Sequence, residues 1–117
     1  MCLMSFTKGK YLVTASYYGD LILWDLDTFE RSEEIPLHSE SINDIKECKT
    51  NFRLRSCLLT GSSDKTMKLT SIRLSDDTIT TLVTLKCEEP IACVAEMRNY
   101  TVVGAAKNKI YFWSLEN

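Results

Sequence analysis

The sequence predicts an all-β fold made of repeated antiparallel sheets, and three observations carry that expectation. Period-two alternation of apolar and polar residues, rich in β-branched and aromatic side chains, runs along most of the 117 residues. No segment of ten or more residues carries a helical stripe. A unit of apolar run, small residues, polar turn and alternating strand recurs as Tyr11–Leu26 (YLVTASYYGDLILWDL), Cys57–Ile72 (CLLTGSSDKTMKLTSI) and Thr101–Leu115 (TVVGAAKNKIYFWSL).

Each element follows from that pattern. Strands are expected at Leu3–Thr7, Tyr11–Ser16, Leu21–Asp25, Arg31–Leu37, Ser41–Lys46, Ser56–Thr60, Met67–Ile72, Thr78–Leu85, Ile91–Glu96, Tyr100–Gly104 and Lys109–Ser114. The turn signals between them are Lys8-Gly9-Lys10, Tyr18-Gly19-Asp20, Ser63-Asp64-Lys65, Asp76-Asp77 and Lys107-Asn108-Lys109. Connections this short join neighbouring strands, so the chain is an antiparallel meander.

Composition narrows the function classes. A hydrophobic content of 44% over 117 residues suits one packed domain. Fourteen basic against sixteen acidic residues leave a formal charge of -2, so bulk charge draws the chain to neither nucleic acid nor membrane. The longest apolar runs, LILW and IACVA, are far below bilayer length, and an intracellular location, cytoplasmic or nuclear, is expected. Cys2, Cys48, Cys57, Cys87 and Cys93 form no C-x-x-C pair and share the chain with a single histidine, which argues against a zinc site, a disulfide framework or a cofactor. They read as buried thiols serving as small apolar residues. Asn99-Tyr100-Thr101 matches the glycosylation pattern by chance, in a chain with no signal peptide.

Trp24, Thr70 and Trp113 occupy one position of the repeat, at intervals of 46 and 43 residues. A period near 40–45 residues with four strands and a terminal Trp-Asp marks a propeller blade. In these residues, and in His38-Ser-Glu-Ser-Ile-Asn-Asp-Ile45 ahead of the second unit, the chain resembles the WD-repeat β-propeller family. The resemblance implies a buried set of His, Ser or Thr, Asp and Trp, hydrogen-bonded within each blade. The second unit supplies His38, Thr60 or Ser62, and Asp64, with Thr70 in place of the Trp. In the first stand Ser16 and Trp24, with Tyr18 at the Asp position; in the third, Cys87, Asn108 and Trp113. No unit has all four members, so apolar packing is expected to hold the blades.

The resemblance further implies blades at about 1–37, 38–85 and 86–117, the last lacking its outer strand. A closed propeller needs at least four blades, roughly 160 residues. An open ring is therefore expected, the C-terminal part of a longer propeller. Its two open faces would be covered by self-association or by a complementing chain.

For function the resemblance implies a non-catalytic scaffold that docks peptides or proteins on its loop faces. By position Tyr17, Ser63 and Lys107 belong on the rim, with Tyr18 and Glu40 close by. Adjacent exposed tyrosines suit a binding hot spot. A second reading is a nucleic-acid-binding propeller using the basic 46–55 loop, where Lys46, Lys49, Arg53 and Arg55 surround Phe52. A third is a hydrolase around His38 and Asp64, with Ser62 or a cysteine as nucleophile. The chain has no phosphate loop, H-E-x-x-H or G-x-S-x-G. Glu33-Glu34 and Glu88-Glu89 are expected in strands, each pair split between opposite faces.

Overall fold

A computed structural model of the chain describes residues 2–6, 11–32, 34–48, 57–73, 78–97 and 101–114. Eleven strands lie among them: β1 (Cys2–Phe6), β2 (Tyr11–Ala15), β3 (Asp20–Asp25), β4 (Ile35–Pro36), β5 (Ile42–Cys48), β6 (Cys57–Ser62), β7 (Thr66–Arg73), β8 (Thr78–Lys86), β9 (Cys93–Met97), β10 (Thr101–Ala105) and β11 (Ile110–Ser114). They form two four-stranded sheets, β1-β2-β3-β4 and β5-β6-β7-β8, and a three-stranded sheet, β9-β10-β11, all antiparallel meanders.

Side-chain chemistry fixes the turns. Ser16 Oγ accepts from the amides of Tyr18 and Asp20, and Gly19 turns the chain at φ 91°, where any Cβ would meet the His38 carbonyl oxygen at 2.0 Å. Asp25 ends β3: its Oδ1 accepts from the amides of Asp27 and Thr28 at 2.8 and 3.2 Å, an Asx turn that diverts the chain from the ladder. Ser62 and Asp64 do the same between β6 and β7, accepting from Asp64 N and Thr66 N at 3.1 and 2.9 Å. The strand expected over 31–37 is much shorter than the alternation suggested. Only Ile35–Pro36 pairs with β3, plus one bridge from Trp24 to Arg31, and Pro36 has no N–H to extend a ladder.

Strand register gives every sheet the same two faces. Leu12 faces Trp24 and Thr14 faces Ile22 across β2 and β3; the equivalent pairs are Leu58 with Thr70 and Thr60 with Lys68, then Val102 with Trp113 and Gly104 with Tyr111. The opposite face carries Val13 with Leu23 and Ala15 with Leu21, then Leu59 with Leu69 and Gly61 with Met67, then Val103 with Phe112 and Ala105 with Ile110.

The core lies between the sheets. Tyr11, Val13, Ala15, Leu21 and Leu23 of the first sheet pack with Ile42, Ile45, Leu58 and Ile72 of the second. The second sheet's other face, Leu59, Met67 and Leu69, packs with Val94, Val102, Tyr111 and Trp113 of the third. Gly61 and Gly104 mark the closest approach: a Cβ on Gly61 would lie 2.6 Å from Ile91 Cγ2, and one on Gly104 2.3 Å from Met67 Sδ. The first strands β1, β5 and β9 stand beside one another, which fans the sheets about a common edge.

One extra residue in β5 ties the second sheet to the third. The ladder to β6 shifts between Ile42 and Asp44, and Asn43, set in the irregularity, donates from Nδ2 to Ile91 O at 2.8 Å and Ser63 Oγ at 3.0 Å. Asp44 Oδ2 accepts the Val94 amide at 3.0 Å.

Candidate functional site

Two groupings matter, a buried hydrogen-bonded core in the second sheet and the row of turns above it. His38 follows β4 because Gly19 O accepts both the Leu37 and His38 amides, at 3.1 and 2.9 Å. Its imidazole enters the second sheet, where Nδ1 lies 3.0 Å from Asp64 Oδ2 and Nε2 lies 2.7 Å from Thr60 Oγ1. A carboxylate only accepts, so Nδ1 carries the proton, and Nε2 accepts from the Thr60 hydroxyl. Thr66 completes the set: its hydroxyl donates to Asp64 Oδ1 at 2.5 Å and its oxygen lies 3.0 Å from Nδ1.

The electrostatics agree with a neutral imidazole beside an anion. Burial pushes the His38 pKa below its ordinary value, a pull that Asp64 only partly reverses. At Asp64 burial acts upward, but the Thr66 hydroxyl, His38 and the Ser39 amide outweigh it and hold the carboxyl below its usual range. Asp64, His38 and Thr60 thus have the hydrogen-bond order of a hydrolytic triad. The His38 side chain and Thr60 are both 0% exposed, so no substrate reaches the hydroxyl.

Ser62 stands apart from that set. Its Oγ donates toward the carbonyls of Glu40 and Ser41, at 3.2 and 2.8 Å, and shapes the turn. In the first sheet Trp24 Nε1 donates to Thr14 at 3.0 Å, while Ser16 serves the turn. Arg31 stacks over the Trp24 ring with its guanidinium 5.5 Å from the centroid. In the third sheet Cys87 and Asn108 do not meet: the Cys87 thiol points to Leu85 O at 3.7 Å and Asn108 donates to Glu89 at 3.2 Å. Trp113 Nε1 is buried with no partner among the described residues, and so is Thr70 Oγ1. Thr14 and Thr66 were missed in the sequence. Thr14 aligns with Thr60, but Ser16 shares its face, and only register separates them.

The turns form a continuous belt at one end of the sheets. Tyr17 and Tyr18 are 72% and 84% exposed at the β2–β3 turn. Through Gly19 and Ser16 that turn bonds to the 37–42 segment, which carries exposed Glu40. The Ser63 amide donates to Ser41 O, so the β6–β7 turn lies beside it. Ser63 itself is half-buried and accepts from Asn43. Exposed Lys107 sits in the β10–β11 turn, which the Lys109–Glu88 ion pair and the Asn108–Glu89 bond tie to the 87–91 segment. Lys109 holds the Glu88 carboxyl below its ordinary range, and Glu88 raises Lys109 in return. The Glu88-Glu89 pair therefore lies in a bend rather than a strand, where backbone curvature frees both carboxylates to reach the neighbouring turn. Glu33 lies outside the described residues.

Of the basic 46–55 loop, residues 49–55 also lie outside the described residues; Lys46 is ion-paired with Asp44 at 3.0 Å. Among the described residues no cluster of three or more His, Cys, Asp or Glu is set to hold a metal, and no helix is long and apolar enough to cross a membrane. Cys48 and Cys57 are buried as expected; Cys87 is half-buried, and Cys93 is exposed because its face of β9 has no covering sheet among the described residues.

Known structures share this fan of sheets. The Myceliophteria thermophila Cps50 (Swd1) β-propeller domain superposes on all of the chain with a TM-score of 0.79 at 17% identity, over 36% of that domain. The RRP9 WD40 repeats match 97% of the chain with a TM-score of 0.73 at 15% identity, over 33% of their length. The chain has the fold of a WD-repeat β-propeller. Its three sheets are blades of an open set. Sequence relatives are eukaryotic translation initiation factor 3 subunit I of Nematostella vectensis, 29% identical over 84% of the chain, and Elongator complex protein 2 of Schizosaccharomyces pombe, 33% identical over 68%. The chain spans 29% and 10% of their lengths. No protein-family model matches it.

Proposed function

We propose that these blades serve as a non-catalytic scaffold that docks a peptide or protein on the belt of turns, with Tyr17 and Tyr18 as the anchor and Glu40, Ser63 and Lys107 as its polar surround. The carrying observation is the pair of tyrosines at 72% and 84% exposure on a turn whose backbone is locked by Ser16 and Gly19. A rigid turn presents aromatic area at little cost in conformational entropy. The WD-repeat fold supports a protein-interaction role in general. The sealed Asp64–His38–Thr60 set favours structure over hydrolysis, and the ion-paired Lys46 weakens the nucleic-acid reading. An intracellular setting, cytoplasmic or nuclear, suits a chain whose described cysteines are all thiols.

The test is selection of displayed peptides against the chain, followed by calorimetry of the best binder. Tyr17→Ala with Tyr18→Ala should weaken it at least about tenfold, the loss of one hot spot, at unchanged Tm. Binding unaffected by the double change would remove the anchor from the proposal.

A further inference from the structure

The same register position is sealed in two blades and bare in the third. Leu23 and Leu69 are 2% and 0% exposed, whereas their equivalent Phe112 is 62% exposed. Leu21 and Met67 are both 0% exposed, and their equivalent Ile110 is 61% exposed. Met97, at 51%, lies on this face of β9, alongside Cys93 and Ala95. An apolar strip on an edge strand and its neighbours has the chemistry of a covered surface.

The surface that covers this face elsewhere in the chain is also known. Over the first blade it is Leu58, Thr60 and Thr70 of the next sheet; over the second it is Val102, Gly104 and Trp113. The equivalent set on the first blade is Leu12, Thr14 and Trp24, with Ile22 beside Thr14. There Leu12, Ile22 and Trp24 are only half-buried, although Leu58, Thr70 and Val102 are each 0% exposed. The chain thus carries one of each complementary face, both uncovered among the described residues.

We propose that a second copy of this chain covers the third blade, seating its Leu12–Ile22–Trp24 face on Phe112 and Ile110, while its own Phe112 face receives the first blade in return. The contact continues the head-to-tail stacking that already joins the blades within one chain. A pair of three-bladed chains makes six blades, within the range of closed propellers. The two contacts are related by a twofold axis, so the assembly closes at the dimer.

The test is light scattering on the full 117-residue chain across a concentration series. The expected mass is twice the 13.4 kDa of one chain. Phe112→Asp, at a site exposed in the single chain, should halve that mass while leaving the circular dichroism spectrum unchanged. Ile22→Asp should do the same from the other face. Mixing the two variants should restore a dimer through the one intact pair of faces. A wild-type monomer at every concentration would overturn the proposal and leave the face to blades of a different polypeptide. A ladder of higher masses would overturn the closed pair, and a dimer that survives both substitutions would overturn the assigned faces.

Discussion

Trp24 donates its indole N–H to Thr14 at 3.0 Å, and this bond is broken in each later blade by loss of one partner. In the second blade Thr60 keeps the acceptor position but Thr70 replaces the indole; in the third Trp113 keeps the indole but Gly104 replaces the acceptor. The two leftover groups, Thr70 Oγ1 and Trp113 Nε1, are the buried polar atoms without partners among the described residues. Gly104 is held there by Met67, whose sulfur occupies the space a Cβ would need.

Substitutions at equivalent levels of neighbouring blades should therefore have opposite signs. Thr14→Val strands the Trp24 N–H and should cost about 1–2 kcal/mol, whereas Thr70→Val removes an unpaired buried hydroxyl and should gain about 1 kcal/mol. Urea denaturation of both variants checks this, and a loss from Thr70→Val would mean its hydroxyl has a partner after all.

His38 is the only histidine in the chain, so its ring protons report one pKa by NMR without assignment. Burial lowers that pKa from 6.5, so below pH 6.5 the unfolded chain binds the proton more readily than the folded one. Stability should be full above about pH 6.5 and fall as pH drops toward the folded pKa, by at most about 1.4 kcal/mol per pH unit for this proton. Asp64, also lowered, has the same sign below its ordinary 3.8. A His38 titration at or above 6.5 would contradict the neutral imidazole.

Gly19→Ala should destabilise by about 2 kcal/mol or more, because a positive φ combines with a 2.0 Å approach to backbone rather than to a movable side chain. The thermal midpoint reads this directly. An unchanged midpoint would mean that the 37–38 segment yields easily.

Cysteine reactivity should divide along burial. Cys48, buried and with its thiol pushed up to about 12, should resist alkylation until unfolding, whereas exposed Cys93 in the isolated chain should label at once. Peptide-resolved mass spectrometry after a short pulse distinguishes them, and early modification of Cys48 would show that β5 opens locally.

The strands were legible in the sequence because each sheet buries alternate residues and short turns punctuate them. The outer strand over 31–37 was overread, since alternation continues through residues that Pro36 keeps out of a ladder. His38, Asp64 and the two tryptophans stood out as rare residue types at repeat positions. Thr14 and Thr66 did not, since Ser and Thr are common on strands, and only the pairing register shows which hydroxyl meets an indole or an imidazole.

The extra residue at Asn43 has a mechanical consequence. Apolar contact is indifferent to sliding, so the Leu59–Val102 core alone would let one blade rotate against the next. The bonds from Asn43 to Ile91 O and from Val94 N to Asp44 act as a detent, fixing the pitch at which the third blade leaves the second. The curvature of the whole arc is thereby set by two polar side chains rather than by its greasy interior.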